Sequence, residues 1–224
     1  MTVLVTSLEE STGKTAVALA LAVAARGRGE RVGYMKPKGT RLQSAVGKTV
    51  DEDPQLAREL LDLDAEMHEM EPVVYSPTFV HEAIRGREDI EELHGEIRSQ
   101  FEALSEGTDR MILEGGGSLT TGGIVDLTDA DLAELLDATV VLVASFSEPG
   151  DVDDLLAAAD LLGERLGGVL FNDVSDAAFE TLASDIVPFL EGRGVRVYGI
   201  VPHDSDLAGV TVAELTEELG AELL

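Results

Sequence analysis

Thr2-Val3-Leu4-Val5-Thr6-Ser7-Leu8-Glu9-Glu10-Ser11-Thr12-Gly13-Lys14-Thr15, followed without a break by Ala16–Ala25, is the stretch that decides the fold. A short β-branched, apolar run reads as a buried strand. The Ala/Leu/Val run after Thr15 reads as a helix, and a polar turn ending in Gly-Lys-Thr joins them. Phosphate-binding chemistry needs this order, because loop amides and a helix N-terminus together present positive potential to an anion. In such a turn Lys14 reaches the terminal phosphates and the Thr15 hydroxyl holds Mg²⁺. Gly13 lets the backbone approach without a Cβ. The match is incomplete, since Leu8 stands where the motif's first glycine falls. The plain alternative is an ordinary strand-to-helix turn with a solvated lysine.

Further along, strands are expected at Thr2–Thr6, Val32–Lys36, Met111–Glu114, Thr139–Ser145, Val169–Asn172 and Val197–Val201. Helices are expected at Lys14–Ala25, Pro54–Leu63, Ile90–Leu104, Ala130–Leu136, Asp151–Leu166, Ala177–Leu190 and Val212–Leu219. Runs such as Val140-Val141-Leu142-Val143-Ala144 are apolar throughout, the pattern of a sheet covered on both faces. Their alternation with helices predicts an α/β fold with a doubly wound, mostly parallel sheet. Residues 39–87, with Pro54, Pro72 and Pro77, read as an excursion over the sheet. One domain over residues 1–224 is expected. The end behind Leu223-Leu224 is compatible with a complete protein or with the N-terminal module of a longer one.

Composition narrows the partners. Forty-four Asp+Glu against 16 Lys+Arg give a net charge of −28, so nucleic acid and anionic membranes would be repelled. No run approaches a membrane span, and Met1–Val5 carries no basic leader, so a cytoplasmic protein is expected. With no cysteine there is no thiolate ligand or nucleophile, and no Gly-x-Ser-x-Gly elbow occurs. His68, His81, His94 and His203 lack ligand spacing. Only four of the basic residues are lysines: Lys14, Lys36, Lys38 and Lys48. A globule this acidic and lysine-poor resembles the proteins of salt-accumulating halophiles.

In an open α/β sheet, ligands bind beyond the carboxyl ends of the strands. Three further segments fall there. Met35-Lys36-Pro37-Lys38-Gly39-Thr40 places Lys36 to contact a phosphate or a carboxylate, or else leaves it a solvated turn lysine. Glu114-Gly115-Gly116-Gly117-Ser118 sets a carboxylate suited to Mg²⁺ beside exposed backbone. Asn172 can hydrogen-bond an adenine edge or simply favour a strand-exit turn. The cluster Asp51-Glu52-Asp53 reads as solvated surface, with Asp53 the one candidate ligand.

These pieces, in this order, resemble the dethiobiotin synthetase-like branch of P-loop proteins, whose fold is a three-layer, P-loop NTPase-like α/β sandwich. Gly13-Lys14-Thr15, Tyr34-Met35-Lys36-Pro37, Glu114-Gly115-Gly116-Gly117, Asn172-Asp173-Val174 and Ile200-Val201-Pro202 carry the likeness across the chain. Within that branch the chain looks most like the N-terminal module of the phosphotransacetylase (phosphate acetyltransferase) family, of halophilic archaeal type. The resemblance implies ATP with Mg²⁺. It implies Ser11, Thr12, Gly13, Lys14, Thr15 and Ala16 around the phosphates, and Asn172 and Pro202 near the adenine. Thr15, Asp53 and Glu114 would surround the metal, and Lys14 and Lys36 would be the catalytic lysines. It also implies a homodimer, and a regulatory domain following the module in longer relatives. Ser7 and Glu9 replace the synthetase's glycine and aspartate, and Lys38-Gly39-Thr40 is not its continuation. These departures leave nucleotide binding standing and set the biotin-pathway reaction apart. Three readings follow: a nucleotide-sensing module with weak or no turnover, an ATP-dependent ligase of dethiobiotin or cobyrinate type acting on a small amine or carboxylate, and a scaffold with a degenerate site.

Self-repulsion of this size weakens a compact state unless it is screened, and at molar salt the Debye length is only ~3 Å. The melting temperature is therefore expected to climb steeply from low to molar KCl. A flat scanning-calorimetry series over that range would remove the halophile reading.

Overall fold

The computed structural model describes residues 1–40, 42–45 and 48–204; the helix expected at Val212–Leu219 lies outside them. The elements run β1 (Thr2–Ser7), α1 (Lys14–Gly27), β2 (Val32–Met35), β3 (Lys38–Gly39), β4 (Leu42–Ala45), β5 (Lys48–Asp51), α2 (Glu52–Leu60), α3 (Met67–Met70), β6 (Val73–Val74), α4 (Pro77–Ile84) and α5 (Ile90–Ser105). They continue with β7 (Arg110–Glu114), α6 (Asp129–Leu135), β8 (Thr139–Ala144), α7 (Val152–Leu162), β9 (Leu166–Val174), α8 (Asp176–Thr181), α9 (Val187–Gly192) and β10 (Val197–Pro202).

Six strands form one sheet in the order β10-β9-β8-β1-β7-β2, and every pairing is parallel. Alternate residues of each strand feed opposite faces. Leu4, Leu113, Val140 and Leu142 join one apolar cluster with α5, α6, α7, α8 and α9. Val3, Val5, Ile112, Val141 and Val143 join the other, which α1 covers with Ala18, Leu19 and Ala22. Helices on both faces make the doubly wound α/β arrangement expected from the apolar strands.

Local chemistry explains where the expected boundaries move. Helix α2 begins at Glu52, two residues early, because the Asp51 side chain accepts from the Asp53 amide and caps it. Pro54 still sits in the first turn. The Thr128/Asp131 capping box forms as read and starts α6. Helix α7 stops at Leu162 because Gly163 turns the chain at φ 52°, and β9 starts at Leu166 rather than Val169. The helix expected over 177–190 is interrupted by a π-turn at Leu182–Ile186. Pro188 has no N–H to give the Ser184 carbonyl, and a widened turn absorbs the missing bond.

The excursion is more ordered than its prolines indicate. Strand β3 pairs with β6, β4 pairs with β5, and Lys36 N–H donates to the Met70 carbonyl at 2.8 Å. The segment therefore packs on the β2 edge, above the carboxyl ends of β1 and β7.

Leu142, fully buried in β8, carries the core: Leu142→Ala is expected to cost about 2–5 kcal/mol in urea unfolding at molar KCl. Ile84→Ala, at a position 66% exposed, is expected to stay within about 0.5 kcal/mol.

Candidate functional site

The turns leaving β1, β2 and β7 meet over the sheet's carboxyl edge. Gly13 precedes α1 with φ 91°, a left-handed conformation that costs a glycine little. The first α1 ladder bond runs from the Val17 amide to the Gly13 carbonyl at 3.0 Å. The amides of Lys14, Thr15 and Ala16 thus precede the ladder and point off the helix's positive end. They open on a cleft of about 300 Å³, lined by Ser11, Gly13, Lys14, Thr15, Ala16, Lys36, Thr40, Asp53, Glu114, Gly115 and Gly117, with Glu10 at its side.

Lys14 is buried, and its Nζ donates to the Gly117 carbonyl at 2.6 Å and the Ser7 hydroxyl at 2.8 Å. The Glu9 carbonyl lies 3.5 Å away. Burial pulls its pKa below the usual lysine value, against the raising pull of Asp129 and Glu114. Oxygens from two loops thus hold this ammonium at the head of the cleft.

Glu114 ends β7 with both oxygens engaged. Oε1 accepts from the Thr15 hydroxyl at 2.7 Å and Oε2 from the Tyr34 hydroxyl at 2.6 Å. Burial pushes its carboxyl up to about 7, although Lys36 pulls it down. Lys36 is equally buried: its Nζ donates to Asp53, lies 2.7 Å from Asp51 Oδ2 and sits 3.7 Å from Glu114 Oε1. Burial lowers its pKa, but Glu114 and Asp51 outweigh that and the net direction is up.

Behind this group stands Glu71, pushed up to about 7 by burial and then by Asp51. Among the described residues its Oε1 has no hydrogen-bond partner, and it presses so close to Gly39 that a Cβ there would lie 1.7 Å away. A second buried pair joins Lys38 Nζ to Asp129 Oδ1 at 2.5 Å, while the Thr6 hydroxyl donates to Asp129 Oδ2. Gly115 and Gly116 are needed beside it, since added Cβ atoms would lie 2.0 Å from Asp129 Oδ2 and 2.2 Å from the Lys38 carbonyl.

The structure brings Ser11, Gly13, Lys14, Thr15, Ala16, Lys36, Asp53 and Glu114 to one cleft. Thr12 is not among the cleft's lining residues, and its carbonyl accepts from Asn172 Nδ2 at 2.9 Å. Pro202 ends β10, exposed and outside the cleft lining. Asp51, read as solvated, is fully buried on Lys36. Sequence reasoning quoted Ser7, Tyr34 and Gly117 within its motifs without giving them these contacts, and it passed over Asp129. Tyr34 carried a signal, because a tyrosine inside an apolar strand needs a partner for its hydroxyl. The partnership of Asp129 with Lys38 spans 91 residues and left none.

Three first-turn amides, an ammonium and a hydroxyl suit a polyphosphate, and the all-oxygen set of Thr15, Asp53 and Glu114 suits a hard divalent cation. Among the described residues no three His, Asp or Glu side chains form a ready-made metal cluster. The Lys36 ammonium lies between Asp53 and Glu114 instead.

Sheet order, the loop opening α1 and the cleft define a P-loop NTPase-like α/β protein. A family model described as an AAA domain matches residues 1–211, and the chain belongs to that family. It is 27% identical over 224 residues to the phosphate acetyltransferase of Pseudomonas putida, covering 95% of this chain but 31% of the relative. Against the ATP-dependent dethiobiotin synthetase BioD of Methanococcus vannielii it is 28% identical, covering 91% and 94%. Against a probable cobyric acid synthase of Methanothermobacter thermautotrophicus it is 28% identical, covering 99% and 47%. The chain thus spans under half of two of these relatives and nearly all of the third. Among solved structures, the MinC:MinD cell division protein complex of Aquifex aeolicus matches with a TM-score of 0.51 at 13% identity, covering 93% of this chain and 84% of that one. That likeness concerns the fold alone.

Lys38→Met strands Asp129 without its cation and is expected to cost about 3–5 kcal/mol, with Lys38→Met/Asp129→Leu recovering much of it in denaturant unfolding. Glu71 gives a pH signature. Its folded pKa lies above the unfolded value, so the native state binds the extra proton and stability falls as pH rises from about 4.5 to about 7. Glu114, shifted the same way, adds its own slope in this window, so Glu71→Gln is expected to reduce the slope without abolishing it. An unchanged slope would contradict the assignment.

Proposed function

We propose that this P-loop module, related to dethiobiotin synthetases, phosphate acetyltransferases and cobyric acid synthases, binds ATP with Mg²⁺ in the cleft over α1. The one observation that carries the reading is the Lys14 ammonium fixed beside the open amides of α1 and the Thr15–Glu114 pair, within one lined cleft. Lys14 and the first-turn amides bind the phosphate tail, with Ser11, Thr12 and Gly13 forming the loop around it. Thr15 and Glu114 hold the cation, with Asp53 across the cleft. Asn172 and Pro202, at the ends of β9 and β10, lie on the side assigned to adenine. Bound Mg²⁺ supplies charge neutralisation on the phosphate oxygens.

The module works as a nucleotide sensor of the phosphotransacetylase type with weak or no turnover. The cleft is small, and its lysines are tied to protein oxygens. A second reading rests on Lys36, which lines the same cleft between Asp53 and Glu114. There an ammonium can stabilise a transferred phosphoryl group, as an ATP-dependent ligase acting on a small amine or carboxylate would require. The setting is cytoplasmic, and a homodimer and a following regulatory domain belong to the same reading. Among the described residues no helix is long and apolar enough to cross a membrane.

Lys14→Ala is expected to abolish the thermal shift produced by ATP and Mg²⁺ in molar KCl. Glu114→Ala is expected to weaken binding with Mg²⁺ more than binding without it, read by titration calorimetry. Phosphate release stimulated by diaminopelargonic acid and bicarbonate would favour the ligase, and saturable binding with no stimulated release the sensor.

A further inference from the structure

Asn172 reaches 160 residues back along the chain to touch the phosphate loop. The Thr12 carbonyl can only accept, so the carboxamide nitrogen must be the atom facing it. The same nitrogen packs on Gly13, where an added Cβ would lie 2.5 Å from Nδ2. One side chain therefore hydrogen-bonds the Thr12–Gly13 peptide and packs against the Gly13 Cα, at the loop's final turn before α1. Its own position is fixed from behind. Asp173 turns the chain at φ 59°, the His203 amide donates to the Val174 carbonyl at 2.8 Å, and the His203 ring meets Asp173 Oδ1 at 2.6 Å. The end of β10 thus braces the end of β9.

Resting on the phosphate-binding reading of the cleft, we propose that Asn172 is a positioning residue of the phosphate loop. It acts through Thr12 and Gly13 to hold the amides of Lys14, Thr15 and Ala16 in their binding geometry, whether or not a base is present. The loop's internal bonds, from the Ser7 and Thr12 hydroxyls to the Glu9 carbonyl, gather its first half. The distant carboxamide adds a restraint at the loop's last turn, on the Thr12 carbonyl. Binding affinity for the phosphate tail alone then depends on a residue that touches no phosphate.

Inorganic tripolyphosphate separates this role from a base contact, because it has no base. In molar KCl with Mg²⁺, Asn172→Ala and the near-isosteric Asn172→Asp, which cannot donate to a carbonyl, are each expected to weaken tripolyphosphate about tenfold. The apo melting temperature is expected to hold. Hydrogen exchange of the apo variants is expected to rise over residues 11–16 and not in β7 or β8. Unchanged tripolyphosphate affinity with weakened ATP would reduce Asn172 to a base contact and overturn the proposal, as would unchanged loop exchange. A wild-type protein that binds neither ligand would overturn the nucleotide reading instead, and the exchange data would still decide the clamp.

Discussion

An ammonium group removed from water must find oxygens to replace its hydration, and Lys14, Lys36 and Lys38 are buried. Each finds its oxygens on a different part of the chain. Lys14 takes Ser7 from the end of β1 and Gly117 from the turn after β7. Lys36 takes Asp51 and Asp53 from the start of α2, and Lys38 takes Asp129 from the start of α6. These pairings fasten three separate turns to one another over the carboxyl edge of the sheet. Remove them and these turns lose their ties to one another, leaving Ser7, Tyr34 and Glu114 at the strand ends as the cleft's remaining polar anchors.

The same pairings account for where the chain keeps its few lysines. With a net charge of −28, long-range potential alone would drive an anionic ligand away. At salt concentrations that screen charges beyond a few ångströms, only the local field matters. Locally, an ammonium and the positive end of α1 face the cleft. A chain can therefore be strongly acidic on its surface and still present cations at the one place an anion would sit.

Much of this was legible in the residues. The central strands β1, β7 and β8 were readable because they are buried on both faces and so are largely apolar. The loop before α1 was readable because glycine, lysine and threonine in sequence have few other uses between a strand and a helix. What escaped was set by contacts between distant segments. Asp51 looked like one more acid in a chain full of them, yet it is buried against Lys36. Asp129 sits in an ordinary helix start and reveals nothing of Lys38 or Thr6. The break in the last helical stretch was visible only as Pro188, whose effect there was a π-turn and not an end.

The group around Lys36 also constrains what the cleft can accept. Asp51, Asp53, Glu71 and Glu114 bring four carboxyls to the neighbourhood of one ammonium, and burial pushes Glu71 and Glu114 up to about 7. The cluster is therefore short of positive charge before any ligand arrives. A triphosphate placed beside it adds more negative charge at close range, and Lys14 alone does not offset that. A second source of positive charge has to enter with the anion, as protons or as a cation. The donors facing the cleft from Thr15, Asp53 and Glu114 are all oxygens, which suit a hard divalent ion better than a soft one. Under the proposed function, the acid excess that looks hostile to a polyphosphate becomes a reason for the anion and its metal to bind together.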